Sequence, residues 1–344
     1  MNLIVVLSGH NEFLKMNAPY EPQLMLNYFH NHFSSIRFYH YFIKLFIQKV
    51  SSKTRYFQKN LQQTNRVFEN YDKNIDHIIK LAQQADIPLF LCTVPANLLW
   101  PPTYDFKYLF VEEISEICYK LLDDKFNYKE LGELESKATG LLKGYKTNVL
   151  ALYTLGMIEY RKRNFKKAYY YLNKSKDYDN RPLRVISKFN ETIRNRTITH
   201  GVTVIDVEQR FKEESYGNII GFDLIADNCH PTPRGNFIIA SLLLEAMVER
   251  NIIKTNGNYD ILKPKLSNIL EDVGWYKNRS PVRSKYLNNC IEYCGSFRNM
   301  YAVKMYCEEI LKIDPENKDI RNKIEIIENN FQKGVSEIDR YLRN

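Results

Sequence analysis

Asp227 and His230 are the clearest candidates for chemistry, since they lie three residues apart in the segment Asp227-Asn228-Cys229-His230-Pro231. If these residues form one turn, both side chains face the same way, and the carboxylate orients the imidazole and stabilises its protonated form. Pro231 then fixes the direction of the chain, and residues 235–250 are predicted to form a helix. An Asp-x-x-His segment is also common in ordinary surface turns. The pair therefore predicts a general base only in combination with other residues.

A second set of candidates lies near residue 10, where Gly9 and Asn11 follow an apolar run. A glycine at a strand end lets the backbone turn sharply, so that the Asn11 amide can point a donor into the cleft above a sheet. Such a donor stabilises the oxyanion of an acyl-transfer reaction. An asparagine at a strand end is also a common turn cap. Asn11, Asp227 and His230 together predict a catalytic site more strongly than any one of them alone.

Two residues of these segments are nucleophiles by type. Ser8 precedes Gly9, but a strand would fix its side chain, which disfavours it as the attacking group. Cys229 is adjacent to His230. Because neighbouring side chains in a turn usually point apart, we predict that Cys229 is a buried structural thiol.

The elements that must position these residues are predicted from hydrophobic patterning. Continuous apolar runs, typical of strands buried on both faces, occupy residues 2–8, 88–94 and 202–206. Helical periodicity predicts helices at residues 60–85, 108–122 and 183–198. Strands that alternate with helices indicate a parallel sheet with crossover connections. Ligands of such sheets bind beyond the carboxyl ends of the strands, where Gly9, Pro95 and Asp206 fall.

Residues 125–178 form an insertion between the second and third strands, and its second half has the spacing of a tetratricopeptide repeat. The interlocking positions of that repeat are occupied by Leu152, Leu155, Gly156, Phe165, Ala168 and Leu172. A second, poorer copy ends at residues 313–317, within a tail that is helical by period. One or two such units cannot form a free-standing solenoid. They are either spacers that pack on the α/β core or a groove for a partner peptide or helix.

Composition limits the classes of protein. The chain has 344 residues, a net charge of +9 and six cysteines without CxxC pairing, which indicates mostly reduced thiols. Cys290 and Cys294 lie one helical turn apart but have no nearby histidine, so a zinc site there is improbable. No nucleic-acid motif or uniform basic stripe occurs. No signal peptide or transmembrane segment is visible, so the chain as it stands is expected in the cytoplasm.

The positive charge is partly local. Six Lys and Arg residues, and no acidic residue, lie within residues 31–60. Residues 36–50 place Arg37, His40 and Lys44 along one helical stripe, with aromatic and aliphatic side chains over much of the rest. Such a helix is either a lid that packs its aromatics over a cleft or a segment that lies on an anionic membrane surface.

Three segments resemble those of the SGNH (GDSL-type) ester-hydrolase superfamily. LIVVLSGHNEF resembles its GxN segment, ADNCHPTPRG its DxxHP segment, and CTVPANL (residues 92–98) the TVPxN strand end of a branch that carries a tetratricopeptide-like insertion. The resemblance covers residues 1–250. It implies a three-layer, flavodoxin-like α/β fold, with the α/β domain formed by residues 1–124 and 179–252, the helical insertion at 125–178, and a helical region at 253–344.

The same resemblance implies roles for individual residues. His230 would be the general base, Asp227 its orienting carboxylate and Asn11 an oxyanion-hole donor, with Gly9 and Asn97 in support. No metal or organic cofactor is implied, because the reaction needs only side chains and backbone amides. The substrate would be an acyl ester, such as an acetyl or other acyl group on a carbohydrate or lipid.

The chain departs from the family at the nucleophile. In the family, a Ser segment and a Gly segment precede the GxN strand, whereas here only Met1 and the strand itself precede it. We therefore expect a chain that is incomplete at its start, inactive alone, and able to pair with a missing N-terminal fragment along the edge of residues 2–8. The alternative is a non-catalytic interaction scaffold that binds a protein partner through its helical hairpins.

Overall fold

The computed structural model describes residues 2–10, 12, 61–102, 128–179, 182–200, 202–254, 266–277, 280–297 and 299–341. Asn11, the basic aromatic segment at residues 36–50 and the predicted helix at 108–122 lie outside the described residues. The chain divides into two compact units, one of residues 1–94 and 180–206 and the other of residues 95–179 and 207–344. No helix within the described ranges is both long and apolar enough to cross a membrane.

The first unit contains a parallel sheet of three strands, β1 (Ile4–Leu7), β2 (Leu89–Cys92) and β3 (Thr203–Ile205). The strand order is β1-β2-β3, with Ile4 opposite Leu89 and Phe90 opposite Thr203. Each predicted apolar run contains one strand. The prediction of an α/β fold with a parallel sheet is therefore confirmed.

The three strands differ in burial. All four residues of β2 are buried, as the apolar pattern predicts. In β1, however, Val5 is 41% and Leu7 is 45% exposed, so the prediction that this strand is buried on both faces is wrong. Exposure alternates along the strand, so that Val5 and Leu7 share a face that the described elements leave open, whereas Ile4 and Val6 on the other face are half-buried.

Two helices of the first unit correspond to predicted ones: α1 (Leu61–Gln84) and α5 (Ser187–His200). They pack through aromatic rings, with Phe189 of α5 4.6 Å from Tyr71 and 4.9 Å from Phe68 of α1 between ring centroids. Arg196 of α5 forms an ion pair with Asp76 of α1 at 3.0 Å. Both predictions are confirmed to within a few residues at each end.

The ends of β2 and β3 are held by polar side chains. Asn190 accepts a hydrogen bond from Val94 N at 2.8 Å and donates one to Val94 O at 2.9 Å. Asp206, at the end of β3, accepts from Thr93 Oγ1 at 2.7 Å and forms a two-point ion pair with Arg194. Asp206 thus has a structural role at the strand end where a ligand was expected.

The second unit is helical. Its helices are α2 (Tyr128–Gly144), α3 (Val149–Arg161), α4 (Phe165–Tyr178), α6 (Val207–Glu214), α7 (Pro233–Glu249), α8 (Leu266–Asp272), α9 (Pro281–Ser296), α10 (Met300–Ile313) and α11 (Lys318–Tyr341). Side-chain caps begin several of them. Thr232 caps α7 by accepting from Gly235 N, and Ser280 caps α9 by accepting from Arg283 N. A proline follows each of these caps, as is common at the first helical position.

Helices α3 and α4 form the hairpin that the repeat spacing predicts. A Cβ atom on Gly156 of α3 would lie 2.6 Å from Leu172 Cγ of α4, so only glycine permits this approach. Ala168 and Leu172 of α4 are fully buried against α3. The end of α10 at Ile313 and the start of α11 at Lys318 likewise place a turn at residues 314–317. The tetratricopeptide resemblance itself stays a prediction.

Candidate acid–base site

The predicted Asp-x-x-His segment lies in a closed loop between Leu224 and Thr232. Ala226 N donates to His230 O at 2.8 Å, and Thr232 N donates to Leu224 O at 2.9 Å, so the two arms of the loop pair like a short antiparallel ladder. At Gly235, in the first turn of α7, a Cβ atom would lie 2.3 Å from Leu224 O. Glycine at this position therefore lets the helix start directly against the loop.

Asp227 and His230 form a hydrogen-bonded pair inside this loop. The two residues share a hydrogen bond of 2.7 Å between His230 Nδ1 and Asp227 Oδ2. The other carboxylate oxygen, Oδ1, accepts from the backbone N–H groups of Cys229 and His230, each at 2.8 Å. The Asp227 side chain is 8% exposed and that of His230 is 64% exposed. The structure thus brings the two predicted residues together, with the carboxylate buried and the imidazole open to solvent.

The hydrogen bond determines the charge of the imidazole. It raises the pKa of His230 from 6.5 to about 10, with a smaller contribution from Cys229, while partial burial acts in the opposite direction. Near neutral pH the side chain is therefore an imidazolium paired with a carboxylate. The buried carboxylate stabilises the protonated imidazole, as it does in acid–base dyads.

Asn97, predicted as a supporting residue, is fully buried beneath this loop. Its Nδ2 donates to Ile225 O at 3.2 Å and to Asp227 O at 2.8 Å, and its Oδ1 accepts from Leu99 N at 2.9 Å. The side chain therefore ties the 225–230 loop to the segment that begins at Pro95. It acts on the backbone of Asp227 through the carbonyl group that it binds.

Two tyrosines of the C-terminal helices also contact the loop, although sequence analysis predicted no role for this region. Tyr306 of α10 donates its hydroxyl to Ala226 O at 2.5 Å, and Tyr293 of α9 donates to Asn228 Oδ1 at 3.1 Å. The ring of Tyr293 lies edge-on to the His230 ring, with centroids 5.3 Å apart. The helical spacing around Tyr293 and Tyr306 indicates a packed face. A pattern along one helix does not show which loop that face contacts.

Cys229 differs from its prediction. It is half-buried, and its Sγ lies 3.7 Å from His230 Nδ1. The backbone N–H groups of both residues bind one oxygen of Asp227, so the turn that carries the two neighbouring side chains is held by the same carboxylate. Cys290, by contrast, is a buried thiol whose pKa burial raises to about 11. The described cysteines, Cys92, Cys229, Cys290, Cys294 and Cys307, are free thiols in this structure, and their reduced state stays a prediction.

The residues predicted around Gly9 belong to the first unit. Gly9 has a φ of +147°, a conformation that L side chains rarely adopt, and a Cβ atom there would lie 2.9 Å from Val185 Cγ2. Glycine is therefore required at this strand end. The Ser8 hydroxyl donates to Glu12 Oε1 at 3.0 Å. Because Asn11 is outside the described residues, its approach to Asp227 and His230 stays a prediction.

Comparisons of the chain with family models, with curated proteins and with solved structures found no match.

Proposed function

We propose that Asp227 and His230 are the acid–base dyad of an acyl-ester hydrolase of the SGNH type, with a flavodoxin-like arrangement of its sheet. The observation that carries this proposal is the 2.7 Å hydrogen bond between a buried carboxylate and an exposed imidazole. A carboxylate in this position orients the ring and leaves its other nitrogen, Nε2, to exchange a proton with a hydroxyl group.

The construction of the loop supports this role. Asp227 Oδ1 accepts two hydrogen bonds from the loop's own backbone, and Asn97 and Tyr306 hold carbonyl groups of the same loop. A dyad needs this rigidity, since proton transfer depends on a fixed distance and angle between the base and the reacting hydroxyl. An Asp–His pair on a loose surface turn would have no such support.

The family resemblance assigns none of the 344 residues as the hydroxyl nucleophile. Ser8 lies near Gly9, but its hydroxyl is engaged with Glu12. We propose that a serine of another segment attacks the ester and that the deprotonated fraction of His230, which grows as the pH rises towards about 10, takes up its proton at Nε2. Asn11 would then donate to the oxyanion, and the substrate would be an acyl or acetyl ester of a carbohydrate or a lipid.

Turnover of a short-chain nitrophenyl ester tests this function. The chain is assayed alone and mixed with a polypeptide that carries the Ser and Gly segments of an SGNH hydrolase, together with His230→Ala and the exposed control His77→Ala. We expect turnover in the mixture, lost in His230→Ala and kept in His77→Ala. Turnover that His230→Ala leaves unchanged, or none in either sample, contradicts the proposal.

A second candidate is a non-catalytic interaction protein. The observation that favours it is a row of side chains on α4 at four-residue spacing, where the half-buried Lys174 lies between the exposed Tyr170 and Tyr178. The Lys174 ammonium lies 5.5 Å from the Tyr170 ring and 5.4 Å from the Tyr178 ring. Exposed tyrosines are enriched in protein–protein interfaces. Absence of turnover from both samples of the nitrophenyl assay favours this candidate over the hydrolase.

A further inference from the structure

Asp227, Cys229 and His230 carry three different types of metal ligand within four consecutive residues. One carboxylate oxygen, the Cys229 sulfur and one ring nitrogen of His230 all lie within 4.8 Å of one another, which holds for no other group of three such residues in the described ranges. We propose that these three residues bind a zinc ion at the surface of the loop, with the remaining coordination position open to solvent.

The distances suit this ion. Ligand atoms lie about 2.0–2.3 Å from a tetrahedral zinc ion and therefore roughly 3.3–3.8 Å from one another. Cys229 Sγ and His230 Nδ1 are already 3.7 Å apart. The distance between His230 Nδ1 and Asp227 Oδ2 is 2.7 Å and must increase by less than about 1 Å. Rotation of the exposed His230 side chain supplies this change.

The loop is arranged before any ion binds. Asp227 Oδ1 holds the backbone N–H groups of both other ligands, so the positions of Cys229 and His230 are fixed by the carboxylate that would share the ion. Asn97 holds the backbone of Asp227 from below. Such supporting hydrogen bonds orient the ligands of metal sites and reduce the ordering that binding requires.

The ligand set also selects the metal. Thiolate, imidazole and carboxylate together suit Zn²⁺ or Co²⁺, whereas Mg²⁺ and Ca²⁺ prefer sites made of oxygen alone. The exposed His230 and half-buried Cys229 let the ion enter from solvent without unfolding. The three protein ligands leave a position for water, as in zinc sites that are not closed.

Binding of the ion and the hydrogen bond of the Asp227–His230 dyad are mutually exclusive. On binding, the Cys229 thiol and His230 Nδ1 each release a proton to solvent, and the metal takes the place of the proton shared with Asp227. Zinc therefore inhibits any reaction in which His230 exchanges protons as a member of the dyad. This consequence rests on the proposed hydrolase function, whereas the binding of the ion does not.

Titration of the full chain with Co²⁺, followed by displacement with Zn²⁺, tests the site. We expect one equivalent of Co²⁺ to produce the charge-transfer absorption of a cobalt–thiolate bond, and one equivalent of Zn²⁺ to remove it. Mg²⁺ should have no effect. No cobalt–thiolate absorption in the unaltered chain, or one that Mg²⁺ also removes, overturns the proposal.

Cys229→Ser and His230→Gln are the variants, with Cys290→Ala as the matched control for loss of a thiol. Cys229→Ser should lose the absorption, and both variants should bind Zn²⁺ at least about tenfold more weakly, since even a residue that only supports a ligand changes metal affinity by roughly 10- to 100-fold. Cys290→Ala should bind as the unaltered chain does. Absorption that persists in Cys229→Ser, or that is lost in Cys290→Ala, places the ion elsewhere and overturns the proposal. These readouts use no substrate, so a negative result leaves the proposed hydrolysis untouched.

Discussion

At the scale of single residues, the charge of His230 depends on one carboxylate. We expect the imidazole to titrate with a pKa of about 10 in the metal-free chain, and Asp227→Asn to bring this pKa down towards 6.5, because the amide cannot stabilise the imidazolium as a carboxylate does. Titration by NMR in the presence of a chelator measures both values. The His230 resonances are assigned by their loss in His230→Gln, and a pKa that Asp227→Asn does not change contradicts the pairing.

The same pair links stability to pH. The pKa of His230 is raised in the folded chain, so its contribution to the free energy of unfolding is fully present below about pH 6.5 and is lost as the pH rises through about 10. The difference in melting temperature between the unaltered chain and Asp227→Asn should therefore shrink across this range. A difference that grows as the pH rises would show the opposite sign and exclude the ion pair as its cause.

Asn97 should contribute to stability through the backbone groups that it satisfies. Asn97→Ala removes the donors to Ile225 O and Asp227 O and the acceptor for Leu99 N, and leaves these groups buried without the side chain. We expect it to lower the free energy of unfolding by about 2–3 kcal/mol, measured by urea denaturation. The exposed control Asn289→Ala should change it by less than about 0.5 kcal/mol. Equal effects of the two substitutions would mean that Asn97 does not hold the loop.

At the scale of elements, the α3–α4 hairpin depends on close approach at one glycine. Gly156→Ala improves helix propensity by about 1 kcal/mol but forces a Cβ atom into Leu172, an overlap that costs about 1–3 kcal/mol. We expect a net loss of stability of about 1 kcal/mol by urea denaturation.

Gly140 of α2 is the matched control, since no atom lies within 4 Å of the Cβ that alanine would add. Gly140→Ala should therefore stabilise the chain by about 0.5–1 kcal/mol through helix propensity alone. If both substitutions stabilise the chain to the same extent, the two helices do not meet at Gly156.

The elements also differ in how well local pattern predicted them. Apolar runs and helical periodicity located β2, α1 and α5 to within a few residues, because period depends on neighbours along the chain. The burial of β1 was not predictable in this way. An apolar run does not show whether both faces of a strand are covered, since only the packing of other elements against the sheet decides this.

At the scale of the whole molecule, the exposed edge strand bears on self-association. Leu7 of β1 is 45% exposed and Leu81 of α1 is 50% exposed, but only Leu7 lies on a strand with one described neighbour. Edge strands with apolar side chains pair with other chains, and lysine on such an edge opposes this pairing. We expect Leu7→Lys to reduce concentration-dependent light scattering more than Leu81→Lys does. Equal reductions of light scattering in the two variants would mean that the added charge alone causes the effect.

By itself, the sequence determined the parallel α/β unit, the helical hairpin with its glycine at 156, and the Asp-x-x-His turn, because each of these depends on residues close together in the chain or on their period. Only the tertiary structure decided that Asn97, Tyr293 and Tyr306 reach the loop around Asp227. It also decided that the sulfur of Cys229 lies beside the imidazole of His230. The packing of the helices and the carboxylate of Asp227, which binds two successive N–H groups, set the positions of these side chains and backbone groups. Neither the packing nor the carboxylate produces a periodic pattern in the sequence.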